Sequence, residues 1–299
     1  MSRMAAHESG RISPLSKGAD SMSILAGIDG MIEAWLGITD PRFGESPRYS
    51  SKTAAQELTR AKGPLVERGN GNLLVELLQR LQENWTNAGQ HKPSADTWAL
   101  GKELHLSPDN TSQEVVLERL VVRLLDDTWA NQVPTCSGLI RGANEGKRSI
   151  DLVHECDEKR YEFIELKFKD GGNGGFGSNY PLHAAWEVIE YGLLYVHARQ
   201  NELRNDSQLM KARSIRLVVL APAGWYQGYD FSWLEAEVNR WLQAPEFSDV
   251  VNMDFQFQEF TTDFDKIYNA PNLLPIAVQE FRRADLRDRK PVSWPREAG

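Results

Sequence analysis

The chain is poor in the features that mark an exported, membrane-bound or zinc-finger protein. Only two of its 299 residues are cysteine, Cys136 and Cys156. Two thiols do not make a disulfide framework, and no CxxC or HxxxH spacing accompanies them. Both are expected to be small buried hydrophobes. No run reaches the ~18 apolar residues of a membrane-spanning helix. The opening MSRMAAHESGRISPLSKGADS lacks an apolar core of the secretory kind, so a cytoplasmic protein with no membrane partner is expected. Excess positive charge is also missing, because the formal net charge is −8. A protein that coats nucleic acid through bulk charge is basic. Any such contact here is therefore local, or is supplied by a partner. No internal repeat is visible.

What is present is the ordinary composition of a soluble globular protein, 41% hydrophobic and 25% charged. Residues 1–20 are polar and read as a mobile tail. Residues 21–104 read as a helical N-terminal region, with helices expected at 22–37 and 71–85 and mostly connection at 38–69. A core is expected over 105–262. Its first helix, 111–127, carries Thr111 and Glu114 at capping-box spacing. Strands are expected in the two apolar runs of 148–168, at 214–222 and at 253–260, with helices at 181–199 and 232–243. Residues 263–299 read as a C-terminal helix and tail. The order is that of a mixed central sheet flanked by helices.

The stretch RSIDLVHECDEKRYEFIELKF, 148–168, puts Asp151, Glu165 and Lys167 inside strand-like apolar runs. Buried charges are costly unless they are paired, solvated or bound to a metal. Glu165 and Lys167 share a face, because side chains alternate along a strand. If the turn centres on Glu158, facing residues have numbers that sum to 316, and Asp151 sits opposite Glu165. Two carboxylates so placed repel and are stabilised by a divalent cation such as Mg²⁺. A lysine beside them can hold a water or stabilise charge on a phosphate oxygen. The plain alternative is a solvent-facing hairpin.

Asp151 followed by Glu165-Leu166-Lys167 resembles the PD-(D/E)xK signature of the restriction-endonuclease-like nuclease superfamily, with Ile150 where proline often stands. The resemblance implies a metal-dependent nuclease with a restriction-endonuclease-like core. In it Asp151, Glu165 and the Leu166 carbonyl would hold Mg²⁺ or Mn²⁺, and Lys167 would serve the nucleophilic water. The helix WEVIEYGLLY is similar to the Q-x-x-x-Y helix of the RecB-like and phage-exonuclease-like branch, with Tyr191 as the tyrosine and Glu187 where glutamine is expected. Many members place an acid on the preceding helix. Of Glu114 and Glu118, Glu118 is preferred here, since Glu114 is assigned to the cap. The substrate implied is nucleic acid, DNA in the first place, in defence against foreign DNA or in repair. The resemblance covers roughly residues 111–222. The second reading is a non-catalytic or partner-activated subunit working with a helicase, ATPase or regulatory partner. That partner, or a second copy of the chain, would dock on the apolar helices of 22–85.

Other features carry less. GGNGGFG lacks the terminal G-K-[ST] of a phosphate loop and reads as a flap over the site or as plain connection. His154 falls on the face opposite Asp151 and is assigned to packing. His183 and His197 receive no role. Trp225, Trp233 and Trp241 are expected to pack, with Trp225 and Tyr226 able to stack on bases. Arg282, Arg283, Arg287, Arg289 and Lys290 are read as a solvated helix face.

Overall fold

A computed structural model describes residues 23–44, 48–67, 71–90, 92–105, 112–136, 148–168, 180–262 and 286–295. The predicted N-terminal tail, the GGNGGFG segment and most of the predicted C-terminal helix lie outside them.

Among the described residues, four α-helices precede the first strand. Helix α1, Ile28–Leu36, starts and stops at Gly27 and Gly37, both in the left-handed conformation, which glycine adopts without steric cost. Helix α2, Lys52–Ala61, begins at Ser51, whose hydroxyl accepts from the Ala54 amide. It lies in a region expected to be connection. Helix α3, Leu73–Asn87, is capped by Asn72 and buries Leu74, Leu77 and Leu81, the stripe its spacing predicted.

Helix α4, Gln113–Leu124, is capped by Ser112, which accepts from Val115. The expected box of Thr111 and Glu114 is therefore displaced by one residue. Glu114 is free of the cap, and its side chain accepts from the Phe168 amide instead.

Among the described residues the sheet has six strands, in the spatial order β1 to β6. They are β1 Trp129–Pro134, β2 Ser149–Asp157, β3 Arg160–Leu166, β4 Ser214–Ala221, β5 Asn252–Phe260 and β6 Arg289–Pro291. β1, β2 and β3 run antiparallel in sequence. β3, β4 and β5 are parallel to one another, and β6 closes the edge antiparallel. Parallel neighbours need crossovers. Helix α5, Pro181–Gln200, supplies the first, and α6, Ser232–Trp241, followed by the short α7, Pro245–Ser248, supplies the second. The architecture is thus α/β with a mixed sheet, as expected.

Side-chain alternation divides the core in two. On one face Tyr161, Phe163, Leu217, Val219, Phe255 and Phe257 pack with α1, α3, α5 and α6. On the other Leu152, Ile164, Leu166, Val218 and Leu220 pack with Val116, Leu117, Leu120 and Val121 of α4. Helix α5 is buried almost all round, as its apolar composition requires. The apolar stripes of α1 and α3 join the same core, so they are covered by the chain itself.

The basic tail departs from its expectation. Arg289 opens a strand rather than lying on a helix, and its guanidinium is packed over the Trp129 ring and bonded to Glu162.

Candidate active site

The β2–β3 hairpin turns at Glu158–Lys159, with Lys159 at φ 67°. Leu152 pairs with Ile164, Val153 with Phe163 and His154 with Glu162. Each sum is 316, and continuing the register by one residue sets Asp151 opposite Glu165. A bulge between Glu155 and Asp157 shifts the pairing only near the turn. Asp151 is half-buried, while Glu165 and Lys167 are buried. They are not residues of a solvent-facing hairpin.

These groups meet α5. The Lys167 Nζ lies 2.5 Å from Glu165 Oε1 and 3.0 Å from Glu187 Oε2. Tyr191 donates its hydroxyl to Glu165 Oε2 at 2.9 Å. Glu187 and Tyr191, four apart, project from one face of α5. The Leu166 amide, between the two charged residues of β3, donates to Asp151 Oδ2 at 2.9 Å. Five of the predicted side chains therefore join into one buried cluster, with the Leu166 peptide at its centre.

Electrostatics follow from the packing. Burial pushes the Asp151 carboxyl well above the usual range, and Glu114 and Glu118 add to it against the pull of Lys167. Burial likewise raises Glu165, with Asp151 and Glu187 repelling its charge. Burial opposes the Lys167 ammonium, yet Glu165, Glu187, Glu114 and Asp151 hold it well above its ordinary value. Burial also opposes the Glu187 carboxylate, but Lys167 and His183 bring it down to about 2. An excess of carboxylate around one ammonium is an environment short of positive charge.

Glu118 stands differently from its expected place. Its two oxygens accept from Asn131 at 2.6 Å and Gln132 at 2.7 Å, both on β1. It raises the Asp151 pKa from a distance, and burial takes its own carboxyl up to about 7. Glu114, set aside as a cap, is the acid of α4 that faces Lys167 and Phe168.

His183 and Tyr49 extend the cluster. His183 Nδ1 lies 3.0 Å from Glu187 Oε2, one helical turn before it, a spacing visible in the sequence. The Tyr49 ring stacks on His183 at 5.6 Å, and its hydroxyl donates to Asp29 of α1 at 2.6 Å. No local signal in the sequence points to that contact. Nearby, the Arg148 guanidinium is paired with the buried Glu190.

Two opposed carboxylates, each destabilised in its charged form, fit a divalent cation. Lys167 now covers Glu165 Oε1, so the carboxylate would exchange one cation for another. The base-stacking role considered for Tyr226 does not fit its surroundings, since it is buried and its hydroxyl donates to the Val219 carbonyl. No protein-family model, curated protein or solved structure matches the chain.

Proposed function

We propose that the chain is a metal-dependent nuclease of the restriction-endonuclease-like kind that hydrolyses phosphodiester bonds, of DNA in the first place. The observation that carries this is the register of the β2–β3 hairpin, which brings Asp151 opposite Glu165 with Lys167 beside them on a rigid, buried strand end. A bound Mg²⁺ or Mn²⁺ would be held by Asp151 and Glu165 near the Leu166 peptide, and would supply Lewis-acid polarisation of the phosphate and a more acidic water. The protein's own groups do the rest. Lys167 places an ammonium where negative charge builds on a phosphate oxygen. Glu187, itself braced by His183, holds that ammonium in position. Tyr191 fixes the rotamer of Glu165 through its hydroxyl.

The test is cleavage of labelled DNA by the purified chain with Mg²⁺ or Mn²⁺, compared with Lys167→Ala. A loss of about 10²–10⁴-fold is expected from removing a group that acts on the reacting atoms. Equal metal-dependent cleavage by both proteins, with both folded by circular dichroism, would sink the assignment.

A second reading is favoured by the closed state of the cluster, in which Lys167 is already bound by two carboxylates. A nucleic-acid-processing partner that delivers substrate and opens the Glu165–Lys167 pair would make this a partner-activated subunit. The isolated chain would then be silent, and metal-dependent cleavage that requires Lys167 would appear only with the partner added.

A further inference from the structure

The same hairpin carries a second constellation on its other face, at the turn end. His154 and Cys156 are two apart on β2, so their side chains share a face. His154 pairs directly with Glu162 of β3, which sets their Cβ atoms about 5 Å apart. His154 Nδ1 lies 2.9 Å from Glu162 Oε2 and 3.5 Å from Cys156 Sγ. Among the described residues, this is the one group of three His, Cys, Asp or Glu side chains whose donor atoms all lie within 4.8 Å of one another.

We propose that His154, Cys156 and Glu162 form a Zn²⁺ site, with three protein donors and a solvent molecule as the fourth ligand. Tetrahedral zinc with Zn–N near 2.05 Å, Zn–O near 2.1 Å and Zn–S near 2.3 Å separates N from S by roughly 3.6 Å and N from O by roughly 3.4 Å. The nitrogen–sulfur separation already matches, and the nitrogen–oxygen pair needs to open by about half an ångström. The imidazole is pre-oriented, since its ring is stacked on Trp129 with centroids 4.2 Å apart and 13° between planes. Glu162 is oriented too, by Arg289 Nη2 at 2.9 Å from Oε2, in the way that outer partners orient ligating carboxylates. A cavity of about 350 Å³, lined by His154, Cys156, Thr128 and Arg287 among others, lies beside the cluster and admits the fourth ligand.

The mixed N, S, O donor set selects a borderline metal over Mg²⁺, which takes oxygen donors. Zn²⁺ takes the lone pair of His154 Nδ1, with the ring proton on Nε2, binds the ionised Glu162 and replaces the thiol proton of Cys156, so one proton leaves as one Zn²⁺ enters a site with a neutral imidazole. Thiolate and carboxylate then neutralise the ion. Arg289, and Arg160 more remotely, face the site with positive charge and set an upper limit on the affinity. The ion would clip the bulged end of the hairpin whose far end holds Asp151 and Glu165. Nothing in this proposal depends on the reaction assigned to those residues.

The test uses Co²⁺ as the probe on the intact chain. One equivalent is expected to give a thiolate charge-transfer band in the near ultraviolet and tetrahedral bands in the visible, all removed by excess Zn²⁺. Affinity should fall at least tenfold in His154→Ala and in Cys156→Ser. It should be unchanged in Cys136→Ser, which alters the other thiol, and in Asp151→Asn, which alters the candidate active site. No band with Co²⁺ at millimolar concentration, or a band that survives Cys156→Ser, overturns the proposal. Should a variant fail to fold, the wild-type chain supplies the measurement. Saturating Zn²⁺ is expected to slow alkylation of Cys156 at least tenfold, and an unchanged rate would overturn the site.

Discussion

His197 illustrates how much one buried side chain can govern. It sits fully buried on α5, edge-on to Trp85 with ring centroids 5.2 Å apart. Burial pushes its imidazole down from 6.5 to about 4, so the folded chain keeps it neutral. Between those two values the unfolded chain binds a proton that the folded chain does not. The stability present above pH 6.5 is therefore lost as the pH falls towards 4, by up to ~3 kcal/mol. His197→Phe keeps a ring against Trp85 and cannot titrate. Urea denaturation at pH 7 and pH 4.5 should show a smaller acid loss in the variant, by about 1–3 kcal/mol. Equal losses would remove His197 as the cause. Glu190 has the opposite sign. Burial takes its carboxyl up to about 8 against the pull of Arg148, so its contribution is complete below pH 4.5 and is lost as the pH rises through 8. Neither histidine of α5 had a role assignable from sequence, because a titratable group in an apolar run reads the same whether it faces core or site. Asp151, Glu165 and Lys167 were legible because their strands are short and apolar, which leaves a buried charge few alternatives to pairing. Glu114 was misread, because the cap lies one residue later than Thr111 and the freed carboxylate points to the site.

Among the elements, those with a clear period were legible and those with none were not. Helices α3, α4, α5 and α6 and strands β4 and β5 follow from apolar spacing. The hairpin register follows from a run of four charged residues, Asp157 to Arg160, that has to turn in solvent. Strand β1, WANQVP, breaks its alternation at Gln132, whose φ is 49°. Helix α2 is polar between prolines, and β6 is three residues held by pairing with β5 and by the contacts of Arg289 with Glu162 and Trp129. Tertiary contact alone defines such elements. One sequence detail of α5 does carry a packing consequence. A Cβ at Gly192 would lie 2.9 Å from both Leu217 Cδ1 and Met253 Cε, in a core where those side chains have little room. Glycine lets the crossover helix lie close on β4 and β5. Gly192→Val is expected to lose about 1–3 kcal/mol by overpacking, measured as a lower urea midpoint with unchanged m-value. A variant as stable as the parent would mean that the helix can lift away freely.

On the scale of the whole molecule, the N-terminal helices and the sheet share one core. The sequence suggested a separate helical region with an apolar surface for a partner, because composition cannot say which chain covers a stripe. In the fold Trp35 of α1 is the join. Its ring packs edge-on to Trp241 at 4.9 Å and to Trp186 at 6.3 Å, and stacks on Trp233 at 6.1 Å. The site depends on the same join, since Asp29 of α1 holds Tyr49, and Tyr49 lies on His183. Removing an indole from such a cluster costs about 3–5 kcal/mol. If the core is one cooperative unit, Trp35→Ala shifts every probe together. Far-ultraviolet circular dichroism, which sums all elements, and hydrogen exchange of the β3 and β4 amides should report the same lowered midpoint, as two-state unfolding requires. A variant in which circular dichroism falls in two steps, with the β3 and β4 amides keeping their parent protection, would separate the helical region from the sheet. It would also leave that region's apolar stripes available to a partner in the partly unfolded state.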